Sequence, residues 1–270
     1  PEHVFSVSAP GIRQVKVIDA TPVGINVRST VATYAGVHDE LRKIFARLPQ
    51  AKEKGYKAGD FSYNTGSLRC PTCDGTGQIS LDVQFLPDVD IPCPDCRGSR
   101  YGKEAEAVLY PAPDGKGYSL PQLMAMDVRQ AMEVCSGMKL VRGRLQVLDS
   151  LGLGYLTLGE QTPSLSGGEA QRLKLASEMG RPQSDAVFIF DEPTIGLHPL
   201  DVRTLLAVFE TLIRSGATVI VIEHDLDVIR NADYVIDMGP GGGEEGGTIV
   251  AAGTPEDIKN SPASKTGKFL

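Results

Sequence analysis

The last third of the chain alternates mostly apolar runs with one amphipathic segment. Residues 186–190 (AVFIF) and 218–223 (TVIVIE) predict two strands buried in a sheet. Between them, residues 201–215 place their apolar side chains on one helical face, and Gly216 follows where a left-handed residue often ends a helix. Buried strands separated by an amphipathic helix indicate an α/β fold with a parallel sheet.

The remaining patterns predict shorter elements. Residues 78–85 alternate strictly between polar and apolar, which is typical of a half-buried strand in a hairpin. Residues 119–151 follow a helical period, with Asp127 as an N-cap and Cys135 as a buried thiol. The other predicted elements are strands over residues 4–7 and 14–19, a helix over residues 37–48, and paired edge strands over residues 234–238 and 248–252.

Composition limits the class of protein. The 270 residues are 41% hydrophobic and 23% charged, a balance typical of soluble globular chains rather than disordered or fibrous ones. No run approaches the ~20 consecutive apolar residues that cross a bilayer, so we expect no membrane association. Five cysteines, four of them in two close pairs, favour a metal site over disulfides and predict a cytoplasmic protein.

The net charge of −7 argues against a domain that binds nucleic acid over its whole surface. A basic surface must therefore be local, and residues 41–69, with seven basic and two acidic residues (7 − 2 = +5), are the best candidate. This segment is either a DNA-contacting surface or an ordinary solvated helix and loop. Its candidate phosphate-contacting residues are Lys52, Lys54, Lys57 and Arg69.

Four cysteines, Cys70, Cys73, Cys93 and Cys96, have the spacing C-x2-C-x19-C-x2-C. Two Cys-x-x-Cys knuckles brought together by a hairpin supply the four thiolates that tetrahedral Zn²⁺ prefers, so the pattern predicts a zinc site. Two roles are compatible with it: a purely structural staple, or a module that also contacts DNA.

Residues 165–176 (LSGGEAQRLKLA) begin a helix with an unusual first turn. Ser166 and Glu169 form a capping-box pattern, which by itself indicates only a well-started helix. Gly167 and Gly168 follow the cap, although glycine weakens a helix. Glycines at this point expose backbone N–H groups at the positive end of the helix, an arrangement that suits a phosphate.

Two acidic residues and a histidine follow the predicted strands. Asp191 and Glu192 come directly after residues 186–190, and His224 follows residues 218–223. Neighbouring parallel strands end at one edge of the sheet, where ligands commonly bind. Asp191 is then a candidate for holding Mg²⁺, and Glu192 for deprotonating a water molecule. The plainer interpretation is an acidic turn at a strand end and a structural histidine.

Together these motifs resemble the ABC-type ATPase family. The chain contains a signature sequence LSGGEAQR, a Walker B sequence FIFDEPT, a D-loop GLHPLD and a switch histidine. The resemblance implies that Glu192 is the general base, that Asp191 organises Mg²⁺ and that His224 contacts the γ-phosphate of ATP. It also implies that ATP held by the P-loop of a second, head-to-tail ATPase unit is bound by Ser166, Gly167, Gly168 and Glu169.

Longer runs resemble the UvrA family in particular. They are VGINVRSTVATYAGV, GYKAGDFSYN, FLPDVDIPCPDC, LSGGEAQRLKLA, DEPTIGLHPLD and VIEHDLDVIRNADYVIDMGPGGG, and they cover nearly the whole chain in the family's order. This resemblance implies the C-terminal ATPase half of a protein that recognises damaged DNA in nucleotide excision repair. It implies Zn²⁺ and ATP with Mg²⁺ as cofactors. The implied partners are double-stranded DNA, a second copy of the protein and a UvrB-like subunit.

The fold class implied is α/β: an ABC-type ATPase core with a helical signature subdomain and an inserted Cys₄ zinc hairpin. The predicted core covers residues 1–40 and 185–270. The predicted helical signature subdomain covers residues 41–68 and 101–184, and the zinc module covers residues 69–100.

The sequence departs from the family pattern in three places. No Gly-x4-Gly-Lys-Ser/Thr P-loop occurs in it, so we expect a C-terminal fragment that does not hydrolyse ATP alone. Ala20 stands where the family usually has a glutamine that senses Mg²⁺ and the γ-phosphate, and Asp60 where it often has a basic residue. Two alternatives therefore stay open: a UvrA-like ATPase that removes drugs from DNA, and a non-catalytic, zinc-dependent DNA-binding module.

Overall fold

The computed structural model describes residues 8–24, 26–81, 89–179, 183–197, 199–239, 241 and 247–270, without the side chains of residues 89 and 199–201. Contacts divide the chain into two units. We call Pro1–Asp19 with Arg181–Leu270 the sheet unit, and Ala20–Gly180 the helical unit. The strand predicted over residues 4–7 lies outside the described residues. The finer division into three domains stays a prediction.

In chain order, the strands of the described residues are β1 (Gln14–Ile18), β2 (Gln78–Leu81), β3 (Val89–Pro92), β4 (Tyr110–Pro111), β5 (Gly117–Tyr118), β6 (Ala186–Asp191), β7 (Thr218–Ile222), β8 (Val235–Gly239) and β9 (Thr248–Gly253). The helices are α1 (Val31–Tyr34), α2 (Val37–Phe45), α3 (Pro49–Glu53), α4 (Lys103–Glu106), α5 (Leu120–Met124), α6 (Val128–Val134), α7 (Lys139–Ser150), α8 (Gly167–Glu178), α9 (Pro199–Arg214), α10 (Leu226–Arg230) and α11 (Pro255–Lys259). Within the described part of the chain, no helix has the length and apolar character needed to cross a membrane.

The sheet unit is built on a three-stranded parallel sheet in the order β1–β6–β7. These three strands confirm the ones predicted over residues 14–19, 186–190 and 218–223. α9 lies between β6 and β7 in the chain, where the apolar period predicted a helix. Because these strands are parallel, the residues that follow β6 and β7 meet at one edge. β8 and β9 form a separate antiparallel pair, which confirms their predicted pairing.

The two faces of this parallel sheet differ in burial. Phe190 is buried, and its ring centroid lies 4.7 Å from that of Phe209 on α9. On the opposite face, Ile220 and Ile222 are 48% and 51% exposed. The prediction of a buried strand over residues 218–223 is therefore wrong: Val219 and Val221, on the face toward α9, are only half-buried, and the other residues of β7 are exposed. β7 is an edge strand, and no described element buries these two side chains, although parallel sheets are usually covered on both faces.

The helical unit packs α2 against α5 and α7. Leu41, Leu123 and Leu145 are fully buried, one on each of these helices. The helix predicted over residues 37–48 ends earlier, at Phe45, and a new helix, α3, begins at Pro49. A proline disfavours helical geometry in the residue before it, which explains the break between the two helices.

The helical pattern over residues 119–151 is divided among α5, α6 and α7. Asp127 caps α6 as predicted, because its side chain accepts a hydrogen bond from the N–H of Gln130. Cys135 follows α6 and is fully buried, which confirms the predicted buried thiol. Burial raises the pKa of Cys135 to about 12, which disfavours the reactive thiolate form at neutral pH.

Candidate functional site

The carboxyl edge of the parallel sheet holds three of the predicted nucleotide-site residues. Asp191 ends β6, Glu192 follows it, and His224 comes shortly after β7. Nε2 of His224 lies 3.7 Å from Oε1 of Glu192, and the two side chains are 85% and 43% exposed. The structure thus brings Glu192 and His224 together, and both remain accessible to a bound molecule.

Glu192 has a left-handed backbone conformation, with φ at 46°. Non-glycine residues rarely adopt this conformation, because the Cβ atom crowds the backbone. The N–H of Glu192 donates to the carbonyl oxygen of Ile222 at 2.9 Å, and this bond to the end of β7 holds the turn. Strained residues of this kind concentrate at functional sites, where the surrounding structure holds them in place.

Glu223 also belongs to this edge, although no motif singled it out. Its Oε1 accepts a hydrogen bond from the N–H of Thr194 at 2.9 Å. Its Oε2 accepts from the N–H groups of His224 and Asp225 at 2.7 and 2.9 Å. Partial burial alone would raise the pKa of Glu223, but a hydrogen bond from the Thr194 side chain and those from the three N–H groups outweigh burial and lower that pKa. The available signal in the sequence was a carboxylate directly before the histidine.

The first turn of α8, in the helical unit, forms as predicted. Ser166 is the N-cap, its Oγ accepts from the N–H of Glu169, and its own N–H donates to the Glu169 carboxylate at 2.7 Å. Among the described residues, no acceptor pairs with the N–H groups of Gly167 and Gly168. A Cβ atom on Gly167 would lie 3.1 Å from the Cβ of Ala20, so this close approach favours glycine. Two N–H donors at a helix N-terminus suit an anion.

Glu169 is held as an anion beside this turn. Burial alone would raise the pKa of Glu169, but hydrogen bonds from Tyr155 and Ser166 outweigh burial and lower it. A carboxylate in the first turn stabilises the helix through its dipole. Glu169 therefore has a structural role of its own. The N–H groups of Gly167 and Gly168 have no acceptor among the described residues, so no comparable structural role is seen for them.

The β2–β3 hairpin brings the four predicted zinc ligands together. Their Sγ atoms all lie within 4.8 Å of one another, with 3.9 Å between Cys70 and Cys93 and 3.7 Å between Cys73 and Cys96. A tetrahedron with Zn–S bonds of about 2.3 Å has sulfur–sulfur edges of roughly 3.8 Å. These sulfur positions therefore fit one Zn²⁺ ion with four thiolate ligands.

The surroundings of the cysteines also fit a metal. The N–H of Gly77 donates to Sγ of Cys73 at 3.3 Å. Burial acts in the opposite direction, yet this and neighbouring hydrogen bonds lower the pKa of Cys73 to about 7. Burial raises the pKa of Cys96 to about 12. A divalent cation would reverse that effect, because it stabilises bound thiolates directly.

The predicted phosphate-contacting residues fall into two groups. Arg69 is already paired: its Nε lies 2.6 Å from Oδ1 of Asp74, whose Oδ2 also accepts from Arg28 at 3.1 Å. A phosphate would have to compete with that carboxylate. The second group consists of Lys52, Lys54 and Lys57. These three lysines are exposed, and they form no ion pair with any described residue.

Comparison with known proteins places these features in a family. No protein family model matches the chain. The chain is 48% identical over 254 residues to UvrABC system protein A of Staphylococcus aureus and 46% identical over 254 residues to that of Staphylococcus epidermidis. Each match covers 94% of this chain and 26% of the relative. The crystal structure of UvrA2 from Deinococcus radiodurans matches with a TM-score of 0.87 and 41% identity, over 96% of this chain and 31% of that one.

A structural match of this extent defines the class of protein. The fold is that of an ABC-type ATPase core with a helical signature subdomain and an inserted four-cysteine hairpin. The sequence comparison narrows the class: with 48% identity over 94% of its length, the chain belongs to the UvrA family. It spans 26% of the length of the curated relatives it matches.

Proposed function

We propose that this chain is the C-terminal ATPase part of a protein that uses ATP to recognise damaged double-stranded DNA in nucleotide excision repair. One observation carries the proposal: Nε2 of His224 lies 3.7 Å from Oε1 of Glu192, the residue that follows Asp191 at the end of β6. The chain that contains this pair belongs to the UvrA family. Sheet edges of this kind bind ligands, and the three side chains suit a nucleotide with its Mg²⁺ ion.

Each residue of this edge has a role in the proposal. The exposed carboxylate of Glu192 deprotonates the water that attacks the γ-phosphate. His224 contacts that phosphate, and Asp191 organises the Mg²⁺ ion. When bound, Mg²⁺ neutralises charge on the phosphate oxygens.

The signature turn serves a different nucleotide in this proposal. Its glycine N–H groups bind ATP held by the P-loop of another, head-to-tail ATPase unit, together with Ser166 and Glu169. Two units, in one chain or in two copies, complete each site. The 270 residues contain no P-loop sequence, so this chain alone is expected to hold no complete site.

DNA and protein partners complete the proposal. Lys52, Lys54 and Lys57 contact DNA phosphates, and Arg69 contributes once Asp74 releases it. Zn²⁺ bound by the four cysteines holds the hairpin in shape. On the basis of family membership, we also propose a UvrB-like subunit as a partner and the cytoplasm as the compartment.

A protein that supplies a Walker A segment in cis to this chain tests the proposal. We expect it to hydrolyse ATP and to bind a duplex with one bulky lesion more tightly than the same undamaged duplex, in an ATP-dependent manner. Fluorescence anisotropy measures the binding, and phosphate release measures the turnover. The 270-residue chain alone serves as the control and is expected to show no turnover. Equal affinity for both duplexes would contradict damage recognition, and turnover by the chain alone would contradict the divided site.

Ala20 supports one second candidate, an ATPase that removes drugs from DNA. Ala20 packs at the start of the signature helix, where the family usually has a Mg²⁺-sensing glutamine. The same assay separates the two functions when an undamaged duplex carrying an intercalator is added. ATP-dependent drug release without any preference for the lesion would support this second candidate.

Charge reversal at Lys52 and Lys54 is expected to weaken DNA binding and flatten its salt dependence. Each phosphate contact contributes about 0.9 to the slope of log K against log salt, so loss of two contacts lowers the slope by roughly 2. Anisotropy titrations at several salt concentrations measure this slope. Reversal of two other exposed cations of the helical unit, Lys116 and Lys139, is the matched control. An unchanged slope, or an equal loss in the control, would assign Lys52 and Lys54 to ordinary surface.

A further inference from the structure

Two turns lie side by side at the carboxyl edge of the sheet. We call residues 191–194 the Glu192 turn and residues 223–225 the His224 turn. Glu192 and His224 approach each other across them at 3.7 Å, but their side chains are 43% and 85% exposed. A polar contact of this length between two exposed side chains contributes little to holding either one, because water competes with it. Their separation must therefore be set by the backbone of the two turns.

One side chain connects those backbones. The carboxylate of Glu223 accepts the N–H of Thr194 in the Glu192 turn at 2.9 Å, across 29 positions of sequence. It also accepts the N–H groups of His224 and Asp225 in its own turn at 2.7 and 2.9 Å. A second link is the bond from the N–H of Glu192 to the carbonyl oxygen of Ile222.

We propose that Glu223 is a positioning residue, whose carboxylate ties the Glu192 turn to the His224 turn and so sets the distance between the two side chains. This inference rests on the ATPase function proposed above. Glu223 is not a second general base, because both of its oxygens already accept backbone N–H groups. Its hydrogen bonds stabilise the ionised carboxylate, which suits an acceptor of several donors and not a proton carrier.

The chemistry of the donors explains why glutamate occupies this position. The carboxylate accepts three backbone N–H groups and also a hydrogen bond from the Thr194 side chain, so both of its oxygens must be acceptors. Glutamine has the same length but presents one NH₂ group, which would face a donor and leave a backbone N–H unsatisfied. Aspartate keeps both acceptors but is shorter by one methylene group, so it is expected to hold the link only in part.

Hydrogen exchange in the 270-residue chain tests the link without any need for activity. Glu223→Gln is expected to accelerate exchange at the amides of Thr194, His224 and Asp225 by at least about tenfold, the loss expected for one hydrogen bond to a charged acceptor. Glu223→Asp is expected to give a smaller increase. Glu210→Gln on α9 is the matched control and should leave these amides unchanged, because within the described part of the chain Glu210 makes just a solvent-exposed pair with Arg214.

The activity test uses the protein with a Walker A segment in cis. Because misplacement of a reacting group by about 1 Å reduces rates by roughly 100-fold, Glu223→Gln is expected to lower kcat by about 10- to 100-fold. The KM for ATP should change little, and Glu223→Asp should recover part of kcat. A purely structural role would lower the melting temperature without this separation of kcat from KM.

The outcomes distinguish this inference from the function on which it rests. Unchanged exchange at the three amides in Glu223→Gln, or an unchanged kcat despite faster exchange, would overturn the positioning role. If the parent protein itself does not hydrolyse ATP, the proposed function fails, and the exchange data still decide whether Glu223 links the two turns. If Glu223→Gln does not fold, Glu223→Asp decides both measurements.

Discussion

Replacement of Glu192 by glutamine, in a protein with a Walker A segment in cis, is expected to lower ATP turnover by about 10²–10⁴-fold. Glutamine keeps the length and shape of the side chain at this left-handed turn, but its amide cannot take a proton from water at neutral pH. ATP binding depends on other groups, so the Kd for ATP should remain unchanged. Single-turnover hydrolysis and equilibrium binding measure the two effects separately.

The matched control is Glu256→Gln on α11 of the same unit, an exposed glutamate whose carboxylate, among the described residues, accepts a hydrogen bond only from Asn260. It should keep the parental turnover and the parental Kd. Hydrolysis at the parental rate in Glu192→Gln would remove Glu192 from the role of general base. A loss of ATP binding in that variant would instead indicate that Glu192 helps to hold the nucleotide.

The strands of the sheet unit could be predicted because the signal is local. β6 is a short apolar run that ends at Asp191, and β7 is another short apolar run. The burial of β7 could not be predicted in the same way. Ile220 and Ile222 have the same sequence pattern whether or not another layer covers them, and in the structure about half of each side chain is exposed. Burial depends on neighbours that the strand itself does not encode.

The candidate site follows the same rule. Asp191, Glu192 and His224 were accessible to sequence reasoning because each follows a predicted strand within a motif. Glu223 was not, since its importance depends on the N–H of Thr194, 29 positions away. Hydrogen bonds between a side chain and distant backbone carry no period or spacing, so only coordinates reveal them.

Charge counting along the basic segment shows a related weakness. A window over residues 41–69 counts cations but omits acids that lie just outside it. Three of those acids pair with cations of the window, in the pairs Arg42 with Asp39, Lys43 with Glu40, and Arg69 with Asp74. Asp60, inside the window, accepts hydrogen bonds from the N–H of Lys57 and the hydroxyl of Ser67, which gives this acid a structural role in the loop. The exposed Arg47 and the lysines on and after α3 are the cations of the window that remain for a phosphate.

Cys93→Ser is expected to release about one zinc per chain and to unfold the hairpin around residues 69–100. Cys93 is fully buried, and its Sγ lies 3.9 Å from that of Cys70. A water molecule could replace this thiolate as a zinc ligand only if the buried interior of the hairpin became exposed to solvent. Structural zinc contributes about 10–16 kcal/mol in small zinc domains, whereas a whole domain is stable by only about 5–15 kcal/mol. The free energy lost with the metal therefore exceeds the stability that the short β2–β3 pairing can supply without it.

Elemental analysis and limited proteolysis measure the two effects, and Cys135→Ser is the matched control. Cys135 is also a fully buried cysteine, but it lies outside the four-thiol cluster, so its replacement by serine should lower stability and leave the zinc content intact. The comparison separates loss of a buried thiol from loss of a ligand, because both variants make the same chemical change. Full zinc content in Cys93→Ser, or the absence of zinc from the unaltered chain, would refute the metal site. Equal protease sensitivity around residues 69–100 in both variants would show that the hairpin holds its shape without Zn²⁺.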